Sequence, residues 1–241
     1  CNNGTIEKTF AGTMTTTCGA GWSVGELVEQ GATLNFSDLI TGPDTGLGDG
    51  VGSGVIVTVW GQNLGSSQGV STIEYCDSGA TCRAGYVYYW KNADGTLPSG
   101  PANLYESHGM QEIAFSIPDS AVGAGTIKVT VDGSSQTLPF TVRTGSIYHV
   151  KNTGNDSTGD GSFANPWLTV AKGDSTAIGE DTLYIHDVST TAVGTSGTDS
   201  YAYYNNKRLL SDTTNQFAYV SFPNTRAELY GKVGVGVYET T

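Results

Sequence analysis

Between Thr126 and Arg143 the chain alternates on a strict two-residue period. Thr126-Ile-Lys-Val-Thr-Val131 runs into Asp132-Gly133, and a partner returns from Thr137. Only a strand sends successive side chains to opposite faces, and Asp-Gly is a residue pair that tight hairpins select. The same period marks Glu112-Ile-Ala-Phe-Ser-Ile117, which Pro118 stops. Val55-Ile-Val-Thr-Val-Trp60 is a β-branched, largely apolar run closed by Gly61. Helix signals are nearly absent. The best candidate is Val24 to Gln30, with Ser23 as cap and Glu26 three residues later. Short strands between Gly-rich turns predict a β-sandwich.

Composition narrows the partners. The 241 residues carry 11 Lys and Arg against 23 Asp and Glu, a formal net charge of −12. Nucleic-acid binding needs clustered basic residues and is excluded on that ground. Anionic surfaces and polymers are repelled on average. No apolar run reaches the roughly 18 residues of a membrane helix. The chain opens at Cys1, as a chain does after a leader has been removed. The other cysteines are Cys18, Cys76 and Cys82, and four cysteines allow three pairings. The short loop from Cys76 to Cys82 predicts one disulfide and leaves Cys1 to pair with Cys18. A second reading makes Cys1 the lipid-anchored first residue of a bacterial lipoprotein, with Cys18 left over.

Near Gly145 the character of the chain changes. Ile147-Tyr-His-Val150, Asp181 to His186, Phe217 to Phe222, Ala227 to Tyr230 and Val233 to Tyr238 read as strands without hairpin partners. The turns between them suggest a chain stepping round corners, the signature of a β-solenoid. The boundary is expected within Thr144 to Ser146. Three segments follow: 1–32, an N-terminal segment with a disulfide; 33–144, a sandwich; and 145–241, the start of a solenoid.

Two stretches carry a family resemblance. Ile40-Thr-Gly-Pro-Asp-Thr-Gly46, Val55 to Trp60 and Gly61-Gln-Asn-Leu-Gly65 resemble the immunoglobulin-like IPT/TIG domain. So do Ile113 to Pro118, Gly125 to Val131 and Phe140-Thr-Val142. The segment from Val70 to Met110 departs from that pattern as a long insertion. Tyr148 to Gly161, Asn165-Pro-Trp-Leu-Thr169, Glu180 to Ile185 and Ser221 to Gly231 resemble the opening coils of right-handed parallel β-helix proteins of the pectate-lyase type. The amphipathic helix that follows the Trp step in that family is weakly marked, because Ala171-Lys-Gly-Asp174 carries a glycine. The resemblance implies an all-β chain, an immunoglobulin-like sandwich followed by the start of a right-handed parallel β-helix.

Family catalytic residues do not map onto this sequence. His108, His149 and His186 lie far apart without ligand spacing, and structural roles are favoured for His149 and His186 within strands. Asn155, Asp156 and Asp160 are candidate calcium ligands in a Gly-rich loop and are equally ordinary turn formers. Asp44 and Asp49 form a weaker candidate. No other cofactor is expected. In Tyr86-Val-Tyr-Tyr-Trp90, alternation places Tyr86, Tyr88 and Trp90 on one face, where they could stack on a glycan or pack into the core. Tyr201 to Tyr204 is a second aromatic group. The expectation is a secreted or bacterial cell-surface, non-catalytic adhesive module that binds glycans or self-assembles into an appendage. Two alternatives stand beside it. One is the front part of a polysaccharide lyase or glycoside hydrolase with catalytic coils beyond residue 241. The other is a trimeric viral-type β-helix spike.

Overall fold

The computed structural model describes residues 31–99, 102–186, 218–225 and 227. Cys1, Cys18, the Val24 to Gln30 segment, Tyr201 to Tyr204 and Val233 to Tyr238 lie outside the described residues. The fold is all-β. β1 (Thr33–Ser37), β3 (Ile56–Gln62), β7 (Met110–Ser116) and β6 (Val87–Asn92) form an antiparallel sheet in the order β1-β3-β7-β6. A second sheet joins β2 (Thr41–Gly42), β9 (Ser134–Val142), β8 (Ala124–Val131), β4 (Thr72–Asp77) and β5 (Cys82–Ala84) in that order. Hydrophobic side chains of both sheets share one core, with Val57, Val59, Ile113 and Phe115 from the first and Ile73, Tyr75, Ile127 and Phe140 from the second.

The hairpin β8–β9 forms as the sequence predicts. Asp132 and Gly133 sit at φ 49° and 80°. Positive φ at both central residues matches the right-handed twist of the flanking strands. The predicted disulfide is also present. Cys76 and Cys82 face each other across β4 and β5, and their sulfurs are bonded.

The remaining strands run differently. β10 (Ile147–Val150), β11 (Thr182–Ile185) and β12 (Ala218–Ser221) make a parallel sheet in chain order, with Ile147 against Thr182 and Thr182 against Ala218. Alternation splits their side chains. Val150, Leu183 and Ile185 form a small core with Trp167 and Val170. Ile147 and Tyr184 join the core of the antiparallel sheets instead. The Tyr184 hydroxyl accepts from the Ile56 amide at 2.6 Å and donates to the Ile56 carbonyl at 3.1 Å. The parallel sheet therefore meets the first antiparallel sheet at Ile56 of β3.

A helix follows the Trp step despite its glycine. α2 (Val170–Thr176) is capped by Thr169, whose hydroxyl accepts from the Lys172 amide. A Cβ at Gly173 would stand 2.7 Å from Leu183 Cδ2. The glycine that weakens the helix signal is the residue that lets the helix lie against β11. A shorter helix, α1 (Leu104–His108), lies in the insertion, with the Asn103 side chain accepting from the Glu106 amide. Among the described residues, no helix is long and apolar enough to cross a membrane.

Candidate functional site

A cleft of about 610 Å³ opens where the first antiparallel sheet meets β12 and the turn after it. The register of β3 against β7 sets its floor. Val57 and Val59 point into the shared core, so Ile56, Thr58 and Trp60 must point the other way. All three line the cleft, with Asp38, Tyr89 and Phe222 around them.

Two aromatic side chains shape the wall. Trp60 stacks on Phe36, ring centroids 5.1 Å apart and planes 18° from parallel. Phe36 is exposed. Tyr89 reaches toward the Thr58 hydroxyl at 3.5 Å, and burial pushes its phenol well above the usual range. Behind Trp60 lies Glu112, which is only 2% exposed. Burial raises its carboxyl, opposed by hydrogen bonds from Ser99 and Trp60 and by the charge of Lys91. Glu112 Oε1 has no hydrogen-bond partner.

Asp38 supplies the charge. Its Oδ1 accepts from the Thr58 amide at 2.8 Å, and its own amide donates to the Thr58 carbonyl at 3.0 Å. The surrounding protein strips water from the carboxyl and raises it above the ordinary carboxylate range. The residue is nonetheless open to solvent, which limits that rise. Asp38 is the only Asp, Glu, Lys, Arg or His among the described lining residues. Glycosidases usually work with two flanking carboxylates.

A second polar cluster is buried at the same sheet interface. His149 and His186 are 37 positions apart in sequence, yet Nδ1 of His149 lies 3.1 Å from Nε2 of His186. Nε2 of His149 lies 2.9 Å from the Leu47 carbonyl. Parallel pairing sets His149 against Tyr184, so His186 falls one step along the same face. Burial drives His149 down to about 4. Burial, then the neighbouring His149 and Lys151, drives His186 down to about 3. Tyr184 and Phe222 pack against His149, and Phe222 stacks on His186 at 4.3 Å.

The other residues singled out by sequence are dispersed. A bulge at Tyr88 breaks the alternation of β6, because Val87 pairs with Phe115 and Tyr89 with Ala114. Trp90 consequently turns into the core, where its indole donates to the Leu64 carbonyl at 3.1 Å. The single aromatic face of Tyr86, Tyr88 and Trp90 is thereby corrected. Tyr86 and Tyr88 stay together edge to face at 5.1 Å, and the Tyr88 hydroxyl donates to Asp49. Asp49 also accepts from the amides of Val51 and Gly52.

In the Gly-rich loop, Asn155 accepts from the amides of Ser157 and Thr158, and Asp160 from Ser162. Asp156 holds the Trp step, accepting from the Leu168 and Thr169 amides and the Thr169 hydroxyl. These oxygens each serve a different stretch of backbone. Sequence reasoning missed Asp38, Trp60, Tyr89 and Phe222 as a group. Trp60, at the end of a largely apolar run, was the one available signal.

No family model matches the chain, and no curated protein matches it. Among solved structures, a structural genomics protein of unknown function from Bacteroides thetaiotaomicron is similar at 19% identity. The match covers 56% of this chain and 28% of that one, with a TM-score of 0.33. The chain thus matches little more than a quarter of its neighbour's length, and a likeness of that strength carries no argument about fold or function.

Proposed function

We propose that this chain is an extracellular or surface-displayed, non-catalytic module that binds a glycan. The observation that carries the reading is the cleft at Trp60. It pairs an indole and a phenol with the hydroxyl and carboxylate acceptors of Thr58 and Asp38. Aromatic faces stack on the C–H faces of sugars, and the polar groups answer their hydroxyls. The Cys76–Cys82 disulfide suits an oxidising compartment.

The architecture we propose behind this function is an IPT/TIG-like sandwich over 33–144 and the opening coils of a right-handed parallel β-helix over 145–241. Residues 1–32 precede them. Support for the sandwich comes from two sheets with one core. Support for the coils comes from three parallel strands in chain order and the return of Trp167 beside Val150. The same strands also suit the front part of a polysaccharide lyase or hydrolase.

The test is retention on immobilised glycans. The wild-type chain should be retarded by at least one polysaccharide, and Trp60→Ala should abolish the retardation while Tm shows a folded protein. Release of reducing or unsaturated ends by the purified chain would replace this reading with the enzymatic one. Absence of retention on every polymer would sink the glycan reading.

A further inference from the structure

We infer that the cleft takes an uncharged glycan and discriminates against polymers of uronic acids. The inference rests on the glycan reading and adds the class of sugar. Asp38 stands in the lining without a Lys, Arg or His among the described lining residues. A uronate carboxylate would need a cation or a bidentate guanidinium to replace its water, and the described lining residues offer neither.

Lys91, whose charge is felt at Glu112, is already engaged. Lys91 Nζ is bonded to Asp94 at 2.7 Å and to the Thr96 carbonyl and hydroxyl at 2.7 Å. Glu112, beneath Trp60, adds negative rather than positive potential when ionised. The remaining polar lining, including Thr58, Tyr89 and Ser99, consists of hydroxyl groups that can both donate and accept. That is the chemistry of a hexose or pentose ring bearing only hydroxyls. A carboxylate beside Asp38 meets like charge in a partly dehydrated space, where repulsion is stronger than in bulk water. A cleft of about 610 Å³ is in the range that holds a few sugar rings.

Affinity measurements at pH 7.5 on the whole chain test this. The probes are xyloglucan, galactomannan and laminarin as neutral polymers, polygalacturonate and alginate as anionic ones, and chitosan as a cationic one. At least one neutral polymer should bind about tenfold or more tightly than either anionic polymer. That binding should be unchanged between 50 mM and 500 mM NaCl, since no ion pair is made. Tyr89→Phe should weaken it severalfold while keeping the ring, which covers the case in which Trp60→Ala fails to fold. Asp38→Asn should narrow the gap by improving the anionic polymers. Equal or tighter binding of polygalacturonate or alginate would overturn the inference and leave the glycan reading standing. So would preferred, salt-sensitive binding of chitosan. Binding of no polymer at all would overturn the glycan reading itself.

Discussion

The two antiparallel sheets present outer faces of opposite character. On the second sheet, β8 alternates between buried Ile127 and Val129 and half-buried Lys128 and Thr130. Lys128 pairs with Glu74 at 3.7 Å, and Thr130 meets the Ser135 hydroxyl at 2.8 Å, all in reach of water. On the first sheet, β7 is buried from Gln111 through Ser116 on both sides. One side of it faces the shared core, and on the other Glu112 is enclosed by Ser99 and Trp60. A strand with one wet face must alternate in polarity, whereas a strand covered twice need only be apolar or hydrogen-bonded. The lesson is that Val55 to Trp60, with its near-continuous β-branched run, already signalled a strand buried on both faces.

The largest effect should come from cutting the contact between that covered face and the parallel sheet. Tyr184→Ala removes a fully buried ring and both hydrogen bonds to Ile56. A loss of about 4 kcal/mol is expected, read by urea unfolding. Tyr184→Phe keeps the ring and should cost about 2 kcal/mol, for the orphaned amide and carbonyl. If Tyr184→Ala moved stability by less than 1 kcal/mol, the parallel sheet would not be part of the same cooperative unit.

Acid should act on the same interface. His149 faces the Leu47 carbonyl, Asp49, Lys151, Tyr184 and His186, and both histidines are held neutral by burial. The unfolded chain takes up protons near 6.5, while the folded histidines resist until about 4 and about 3. Between those values the unfolded state holds more protons, so stability falls as pH falls. The sign is that of a depressed base, with full stability above about 6.5. Thermal unfolding from pH 7 to 4 should show a falling Tm whose slope shrinks in His149→Gln. An unchanged slope would mean that other groups carry the acid sensitivity.

Gly173→Ala should cost about 1–2 kcal/mol, because its Cβ crowds Leu183. A neutral or stabilising result would show that Leu183 can repack, leaving only the gain in helix propensity. The smallest effect belongs to the wet face. Lys128→Ala removes a half-exposed ion pair and should change stability by under about 0.5 kcal/mol. A larger loss would mean that the second sheet's outer face is also covered.

What could be read from the residues follows the same division. The hairpin at Asp132-Gly133 was legible because its turn chemistry and its period are local. The Cys76–Cys82 bridge was legible from a short loop. The bulge at Tyr88 was not, since one extra residue in a strand leaves no mark on composition, and it sent Trp90 to the opposite face from the one alternation predicts. The histidine pair was hidden because parallel pairing brings together positions 37 residues apart. The cleft was hidden for the same reason: Asp38, Trp60, Tyr89 and Phe222 come from four separate stretches of chain. α2 was underrated because Gly173 was weighed by propensity alone, without the close approach that requires it.

One detail of β3 bears on how copies of this chain could meet. β1 pairs with β3 only from Val59 onward. The two preceding even-numbered positions on that margin, Ile56 and Thr58, have their amides and carbonyls answered by the Tyr184 hydroxyl and by Asp38. A phenol, a carboxylate and the Asp38 amide thus stand in for a missing neighbour strand. A margin plugged in this way offers no free ladder of donors and acceptors to an incoming chain. Strand addition there would first have to evict Tyr184 and Asp38, so that side of the sheet is guarded against templated aggregation by two residues.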